Sequence, residues 1–359
     1  MRNILSKPFY LYDSYLSRNW IDYSKLIIKS DNYNWVFDNI RKELKNVFDN
    51  LQVDVINDRF FYNTNKQCVL FLSKYDVLKY IDNTDHKISF SYFHGNPKIN
   101  KKNNDLFQNF LKKISKIEKI HVSNTIMENI LLDNNIPKSK IHKIPISIKI
   151  EDFKFLQKEQ KMLLRKQLKL PLDKKIIGSF QKDGIGWRKG SLPKLEKGPD
   201  IFIKALIEIK KEYKDIHVLL TGPSRGYVIN ELIRNNIDYT YSKFINFNKI
   251  NSYYNVLDLY LVTSREEGGP RAILESMATG TPIISTKVGQ AIDIINNTNN
   301  GFLVDINDYN QICKTALDIF ENKYDLENIL KNARITAKDN SYNSQLKLWN
   351  KFLNNYITK

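Results

Sequence analysis

Cysteine and histidine are scarce in this 359-residue chain, and it has no long apolar run. Cys68 and Cys313 are the only two cysteines. They are too few for a disulfide framework and fall in different expected domains, which points to a reducing compartment. The five histidines, at 86, 94, 121, 142 and 217, show no His-Glu-x-x-His or comparable spacing, so no metal is expected. Asp-x-Asp occurs nowhere, which removes the commonest acidic clamp for a metal-bound diphosphate. No segment is long and apolar enough to span a membrane. The opening MRNILSKPFYLYDSYLSRNW lacks a sustained apolar core and a cleavage signal, so a cytoplasmic protein is expected. There is no internal repeat and no low-complexity linker.

The length implies about two domains, and 42% hydrophobic residues suffice for two cores. Each is expected to be a doubly wound α/β unit. The net charge of +17 invites an anionic partner: a nucleotide, an acidic membrane surface met peripherally at its inner face, or nucleic acid. The cations are scattered among Asp, Glu and Asn rather than gathered on one stretch. A nucleic-acid-binding protein, with affinity that falls steeply with salt, is therefore the weakest reading.

The most informative stretch is TSREEGGPRAILESMATGTPIISTK, residues 263–287. LDLYLVTS before it (257–264) reads as a buried central strand. Gly268 and Gly269 can take positive φ and let backbone approach a ligand. Pro270 has φ fixed for a helix start near Arg271, and Gly280 with Pro282 ends that helix. TPIIST is again a short apolar run, so residues 257–286 read as a βαβ unit. Glu267 falls in the loop at the strand's carboxyl end, where open α/β sheets bind ligands. Glu275 falls one turn inside the helix, roughly 6 Å along its axis. The spacing suits two separate hydroxyl-bearing groups joined by a diphosphate. A retaining glycosidase would instead place its carboxyl groups about 5 Å apart across one bond. Between the two acids, the N–H groups of Arg271, Ala272 and Ile273 face the position of a phosphate.

These residues resemble the retaining, nucleotide-sugar-dependent glycosyltransferases of family 4, whose fold is the two-domain GT-B. The family signature is Glu, seven residues, Glu, then small residues and Gly-x-Pro; here it is Glu267, seven residues, Glu275, and SMATGTP. LEKGPDIFIKAL (195–206) is similar to the family's Lys-Gly-x-Asp segment, and HVLLTGPS (217–224) to its next strand. KVGQAIDIINNTNNGFLVDIND (287–308) resembles the run to the sheet's end, KIHKIPISIKIEDF (140–153) the interdomain crossing, and SYFHGNP (91–97) the first domain's His-Gly loop. The resemblance implies two Rossmann-like domains facing a central cleft. The first is 1–150, the acceptor side, completed by 340–359, whose last helix crosses back with Leu346, Trp349 and Phe352 at helical spacing. The second is 151–339, the nucleotide-sugar side.

The resemblance also implies roles. Glu267 holds the donor sugar, Glu275 the donor ribose, and Lys197 meets the charge growing on the departing diphosphate. The family normally supplies a second cation a few residues earlier in a compact loop. This chain instead carries the longer QKDGIGWRKGSLPKLE (181–196), leaving Lys182, Arg188 and Lys189 as candidates, with Lys182 favoured because it directly follows a strand. That insertion meets neither phosphate-binding motif it imitates. In Gly184-Ile185-Gly186 the third glycine comes one place late at Gly190, and Lys189-Gly190-Ser191 reverses the P-loop order. His94 would touch donor sugar or acceptor, Arg225 the nucleotide, and Tyr241 and Phe244 the base. The family's opening Gly-Gly loop is missing, since no glycine precedes Gly95. The implied activity is transfer of a sugar, with retention, from a nucleoside-diphosphate sugar to a glycan, lipid-linked or protein hydroxyl, without a cofactor. The alternative in the same fold is a nucleotide-sugar epimerase.

Overall fold

The computed structural model describes residues 22–30, 35–56, 61, 66–186, 188–243 and 249–358, with side chains from residue 39 onward in the first helix. Phe244 and the opening segment read for an export signal lie outside the described residues. The chain divides into two compact units, Met1–Ile144 with Gln345–Lys359, and Pro145–Ser344. Both breaks at 144/145 and 344/345 are crossings of the chain between units.

The first unit is built on β1 (Lys25–Lys29), β2 (Asp54–Ile56), β3 (Cys68–Phe71), β4 (Lys87–Ser91), β5 (Ile117–Val122) and β6 (Ile141–Lys143). All pairs are parallel, in the order β2-β1-β3-β4-β5-β6. CVLF of β3 is buried throughout, the continuous apolar pattern of a central parallel strand. The helix Trp35–Asn50 runs between β1 and β2. The last helix, Leu346–Leu353, belongs to this unit. Its Trp349 ring lies 5.4 Å from Phe48 and 4.8 Å from His121, and Phe352 lies 5.2 Å from His142. Tyr356 follows, fully buried, its hydroxyl accepting from the Val69 amide at 3.1 Å. Apolar spacing along the tail therefore records core packing.

The second unit carries β7 (Lys175–Ser179), β8 (Ile216–Thr221), β9 (Tyr239–Ser242), β10 (Leu259–Val262), β11 (Ile283–Thr286) and β12 (Phe302–Val304), again all parallel, in the order β12-β11-β10-β7-β8-β9. Counted from β7, this is the doubly wound order 3-2-1-4-5-6, and the strand order reverses between β7 and β10. Ligands of such sheets bind outside the carboxyl ends at that reversal. Helices Pro199–Glu212, Gly226–Arg234 and Tyr309–Phe320 cover one face through Ile201, Phe202, Leu206, Leu232 and Ile312. Helices Ile250–Asn255, Arg271–Thr279 and Leu326–Asp339 cover the other through Tyr254, Ile273, Leu274, Met277 and Ala333. The expected βαβ unit over 257–286 is present, its helix starting at Arg271 and ending at Gly280 in the left-handed conformation (φ 66°).

Candidate active site

The site forms where the chain leaves the two strands at the reversal. β10 ends at Val262 and runs through Thr263 and Ser264, both buried, to Glu267. β7 ends at Ser179 and runs through Phe180 to Gln181, then through the insertion to a short 3-10 turn, Leu195–Lys197. The two exits are stitched together. Thr263 Oγ1 donates to the Gly198 carbonyl at 2.9 Å, and Gln181 Nε2 to the Lys197 carbonyl at 2.9 Å. Gly198 has φ 62°, and a Cβ there would overlap the Thr263 carbonyl, so only glycine lets the Lys197 turn lie this close to β10. Arg265 completes the clamp with two bonds to Asp200, at 2.8 and 2.6 Å, and one to the Leu195 carbonyl at 2.7 Å. Burial raises the Asp200 carboxyl, but the Arg265 hydrogen bonds and charge outweigh it and hold it below the ordinary aspartate value.

This stitching brings Lys197 and Glu267 into direct contact. Lys197 Nζ donates to Glu267 Oε1 at 2.6 Å, and Ser264 Oγ donates to the same oxygen at 2.9 Å. The sequence reading gave these residues separate ends of a ligand, whereas here they are an ion pair with one carboxylate oxygen carrying both bonds. The other oxygen, Oε2, receives neither.

Gly268 and Gly269 do not have positive φ, so the backbone reason expected for them is replaced by a steric one. A Cβ on Gly269 would lie 2.6 Å from Gln290 Oε1. Gln290 is completely buried and its Oε1 accepts from the Ile146 amide at 2.8 Å. Pro270 occupies the N-cap in an extended conformation, and the helix begins at Arg271. Among the three amides proposed to face a phosphate, that of Ile273 is already bonded to the Pro270 carbonyl at 3.0 Å, and its side chain is in the core. Ile273 is therefore removed from the set, and Arg271 and Ala272 remain at the helix start. Glu275 is 7% exposed. Its Oε2 accepts from the Tyr254 hydroxyl at 2.8 Å, and its Oε1 lies 3.8 Å from Arg271 Nε.

The insertion is an anchored hairpin. Gly184 bridges Pro193 antiparallel, and the Ile185 amide donates to the Leu192 carbonyl at 2.9 Å. The hairpin docks on the start of helix Gly226–Arg234, where the Gly226 and Tyr227 amides donate to the Lys189 and Gly190 carbonyls at 2.7 and 2.9 Å. Arg188 and Lys189 are exposed on it. Lys182 is half-buried beside Gln181, and burial, then the Lys194 charge, pull it below the ordinary lysine value.

Arg225 requires a correction. It is 1% exposed, donates to the Ser179 and Thr221 carbonyls at 2.6 and 3.0 Å, and pairs with buried Asp183 at 3.0 Å. Its guanidinium locks the hairpin base to the strand ends and is not presented to a nucleotide. Tyr241 donates to the Gly222 carbonyl at 2.8 Å, bracing the turn after β8. His94 belongs to the first unit, where it is exposed after β4, its carbonyl accepting from Lys74 Nζ at 3.3 Å.

Gln181, Ser264, Arg265 with Asp200, and Tyr254 were not singled out by the sequence. The aspartate of the Lys-Gly-x-Asp segment was the only signal among them. Among the described residues no three His, Cys, Asp or Glu side chains gather as a metal would require, and no helix is long and apolar enough to cross a membrane.

Residues 173–336 match the family described as Glycosyl transferases group 1. An uncharacterized glycosyltransferase of Methanocaldococcus jannaschii is 28% identical over 133 residues, 36% of either chain. A D-inositol 3-phosphate glycosyltransferase of Corynebacterium urealyticum is 30% identical over 155 residues, 39% of this chain and 34% of its own. These matches span about a third of each relative's length. The structure of HepE from Anabaena in complex with UDP superposes with a TM-score of 0.72 at 13% identity, covering 92% of this chain and all of that one. That likeness makes the fold GT-B.

Proposed function

We propose that this chain is a retaining glycosyltransferase that moves a sugar from a nucleoside-diphosphate sugar to an acceptor hydroxyl. One observation carries the reading: Lys197, Glu267 and the start of the Arg271 helix converge at the carboxyl ends of β7 and β10. A cation, an acid and helix-terminal amides at one such edge suit a sugar attached to a diphosphate. HepE, of the same fold, was solved with UDP and with UDP-glucose, which supports a donor of that class.

In this reading Glu267 accepts from a sugar hydroxyl through Oε2, and Glu275 from the ribose. As the bond from the anomeric carbon to the diphosphate oxygen breaks, charge grows on the diphosphate. Lys197, a short swing from Glu267 Oε1, neutralises it together with Lys182, while the dipole of the Arg271 helix adds roughly 0.3–1 kcal/mol. The acceptor hydroxyl, of a glycan, lipid-linked or protein substrate, attacks on the face the diphosphate leaves and gives its proton to the departing diphosphate oxygen as its own oxygen bonds the anomeric carbon. No side chain serves as a covalent nucleophile, and no metal is assigned a role.

Titration calorimetry with UDP, GDP and ADP tests the donor site, and proton NMR of the first-formed product tests the stereochemistry. The expected outcome is binding of one nucleotide and a product with the donor's anomeric configuration. Absence of binding by all three, with transfer unaffected in Glu275→Ala, removes the assignment; an inverted product removes retention alone. Conversion of donor without any acceptor would instead indicate an epimerase.

A further inference from the structure

The hairpin inserted between β7 and Lys197 turns apolar side chains to solvent, and the proposed reaction makes no use of them. Leu192 is 67% exposed, more than any other large apolar side chain among the described residues, and Ile185 and Leu195 are 58% and 54% exposed. Ile185 and Leu192 are partners across the ladder, because the Ile185 amide donates to the Leu192 carbonyl beside the bridge of Gly184 to Pro193. Residues directly opposite in an antiparallel pair share a face, so these two side chains are neighbours. From residue 184 to 195 there is no Asp or Glu, while Arg188, Lys189 and Lys194 are cations. The backbone carrying them is fixed. Ser224 Oγ donates to the Gly186 carbonyl at 2.8 Å and the Lys194 amide to the Asp183 carbonyl at 2.8 Å. A Cβ on Gly184 or Gly190 would overlap the Ser224 backbone, and one on Gly226 the Lys189 carbonyl. The apolar face is therefore held outward by the fold itself.

We propose that this hairpin is a foot that docks the chain on an anionic lipid bilayer, with Ile185, Leu192 and Leu195 entering the headgroup layer while Arg188, Lys189 and Lys194 meet lipid phosphates. Size decides between a bilayer and a protein partner. A stable protein interface needs about 800 Å² from each side, more than so short a hairpin presents, whereas a bilayer accepts a few apolar side chains flanked by cations. A nucleic acid would use the cations and leave the apolar pair in water. Charge complementarity favours the lipid surface too: the whole chain carries +17, and each cation near an anionic leaflet strengthens binding about fivefold. The arms of the hairpin run into Gln181 and the Lys197 turn, so docking keeps the proposed donor edge within about 20 Å of lipid, at ~3.3 Å per residue. A lipid-linked acceptor is the class such docking serves, a consequence that rests on the proposed transfer reaction.

The test is co-sedimentation of the full chain with vesicles of phosphatidylcholine alone and of phosphatidylcholine mixed with phosphatidylglycerol, a readout that needs no turnover and so stands apart from the proposed reaction. Wild type should bind the mixed vesicles about tenfold or more tightly than the neutral ones, and less as salt rises. Ile185→Ser with Leu192→Ser should weaken binding to mixed vesicles by about tenfold or more, and Arg188→Gln with Lys189→Gln by about 10–30-fold. All four positions are exposed, so melting temperatures should not move. Lys314→Gln with Lys331→Gln, exposed on helices Tyr309–Phe320 and Leu326–Asp339, removes the same charge and should change binding by less than about threefold. Equal losses from the two charge pairs, or no loss from the serine pair, would mean that a basic protein adsorbs by its overall charge, and would overturn the proposal. So would a serine pair that changes the oligomeric state in sedimentation velocity without touching vesicle binding, since the patch would then meet a second copy. Wild type that ignores the mixed vesicles overturns it outright.

Discussion

Replacing Lys197 by Met separates a catalytic cation from a structural ion pair. Its ammonium lies 2.6 Å from Glu267 Oε1, with side-chain exposures of 25% and 11% for Lys197 and Glu267. Screening by water limits the pair's contribution to stability to no more than about 1 kcal/mol, roughly 2–4 °C in melting temperature for a domain of this size. The chemical step is another matter. Removing one preorganised donor from a developing oxyanion costs about 10²–10³ in kcat, or ~2.7–4 kcal/mol. The expected result is a large fall in kcat with a small change in melting temperature. Lys197→Arg should recover only part of the rate, because the 3-10 turn fitted by Gly198 aims a compact ammonium and not a planar fork. Adding Glu267→Gln to Lys197→Met should recover stability, since no acid is left unpaired, without recovering rate. Initial-rate kinetics over a range of donor concentrations, with scanning calorimetry, gives both quantities. A kcat within about threefold of wild type, with any loss confined to KM, would refute the reasoning, because uniform binding and not charge in the transition state would then be what Lys197 supplies.

Other outcomes follow from the same geometry. Gly198→Ala should destabilise by about 1–3 kcal/mol from left-handed backbone alone and more from its overlap with the Thr263 carbonyl, and should also lower the transfer rate by displacing Lys197; urea melts and rate assays read both. Arg225→Met should cost about 3–5 kcal/mol by stranding buried Asp183, and adding Asp183→Asn should recover part of it. His121 of the first unit is buried and neutral, its Nε2 donating to the Ile144 carbonyl at 2.7 Å and its Nδ1 accepting from Ser91 Oγ at 3.0 Å. Burial lowers it from 6.5 to about 4. The unfolded chain then binds the extra proton first as pH falls, so stability is full above about pH 6.5 and drains away toward pH 4, by up to about 3 kcal/mol. Melting temperatures across that window should fall more steeply in wild type than in His121→Gln.

The βαβ unit around Glu267 was legible because its signals are local. Two short apolar runs bracket a Gly-Gly-Pro entry and a Gly-x-Pro exit, and the helix begins and ends where these residues require. β1 and β2 were not recognised. KLIIK offers three apolar residues between lysines and DVI only two after its acid, too little periodicity to separate from coil. What the sequence hid in the site is long-range. Tyr254 reaches Glu275 across 21 positions, and Arg225 meets Asp183 across 42, through a hairpin whose docking no local pattern announces. Arg225 looked like a ligand-facing loop arginine because a buried ion pair and an exposed cation have the same letters around them. Likewise, the Lys197 and Glu267 contact depends on β7 and β10 being neighbours, a fact of sheet order.

The central claim is that one edge of the second sheet holds a nucleoside diphosphate between Lys197 and the start of the Arg271 helix. A crystal structure of the full chain soaked with UDP, or with whichever diphosphate binds in calorimetry, tests it most directly. The account predicts phosphate oxygens within hydrogen-bonding distance of Lys197 Nζ and the Ala272 amide, with the ribose on Glu275. A nucleotide seated elsewhere, with Lys197 still closed on Glu267, would contradict it.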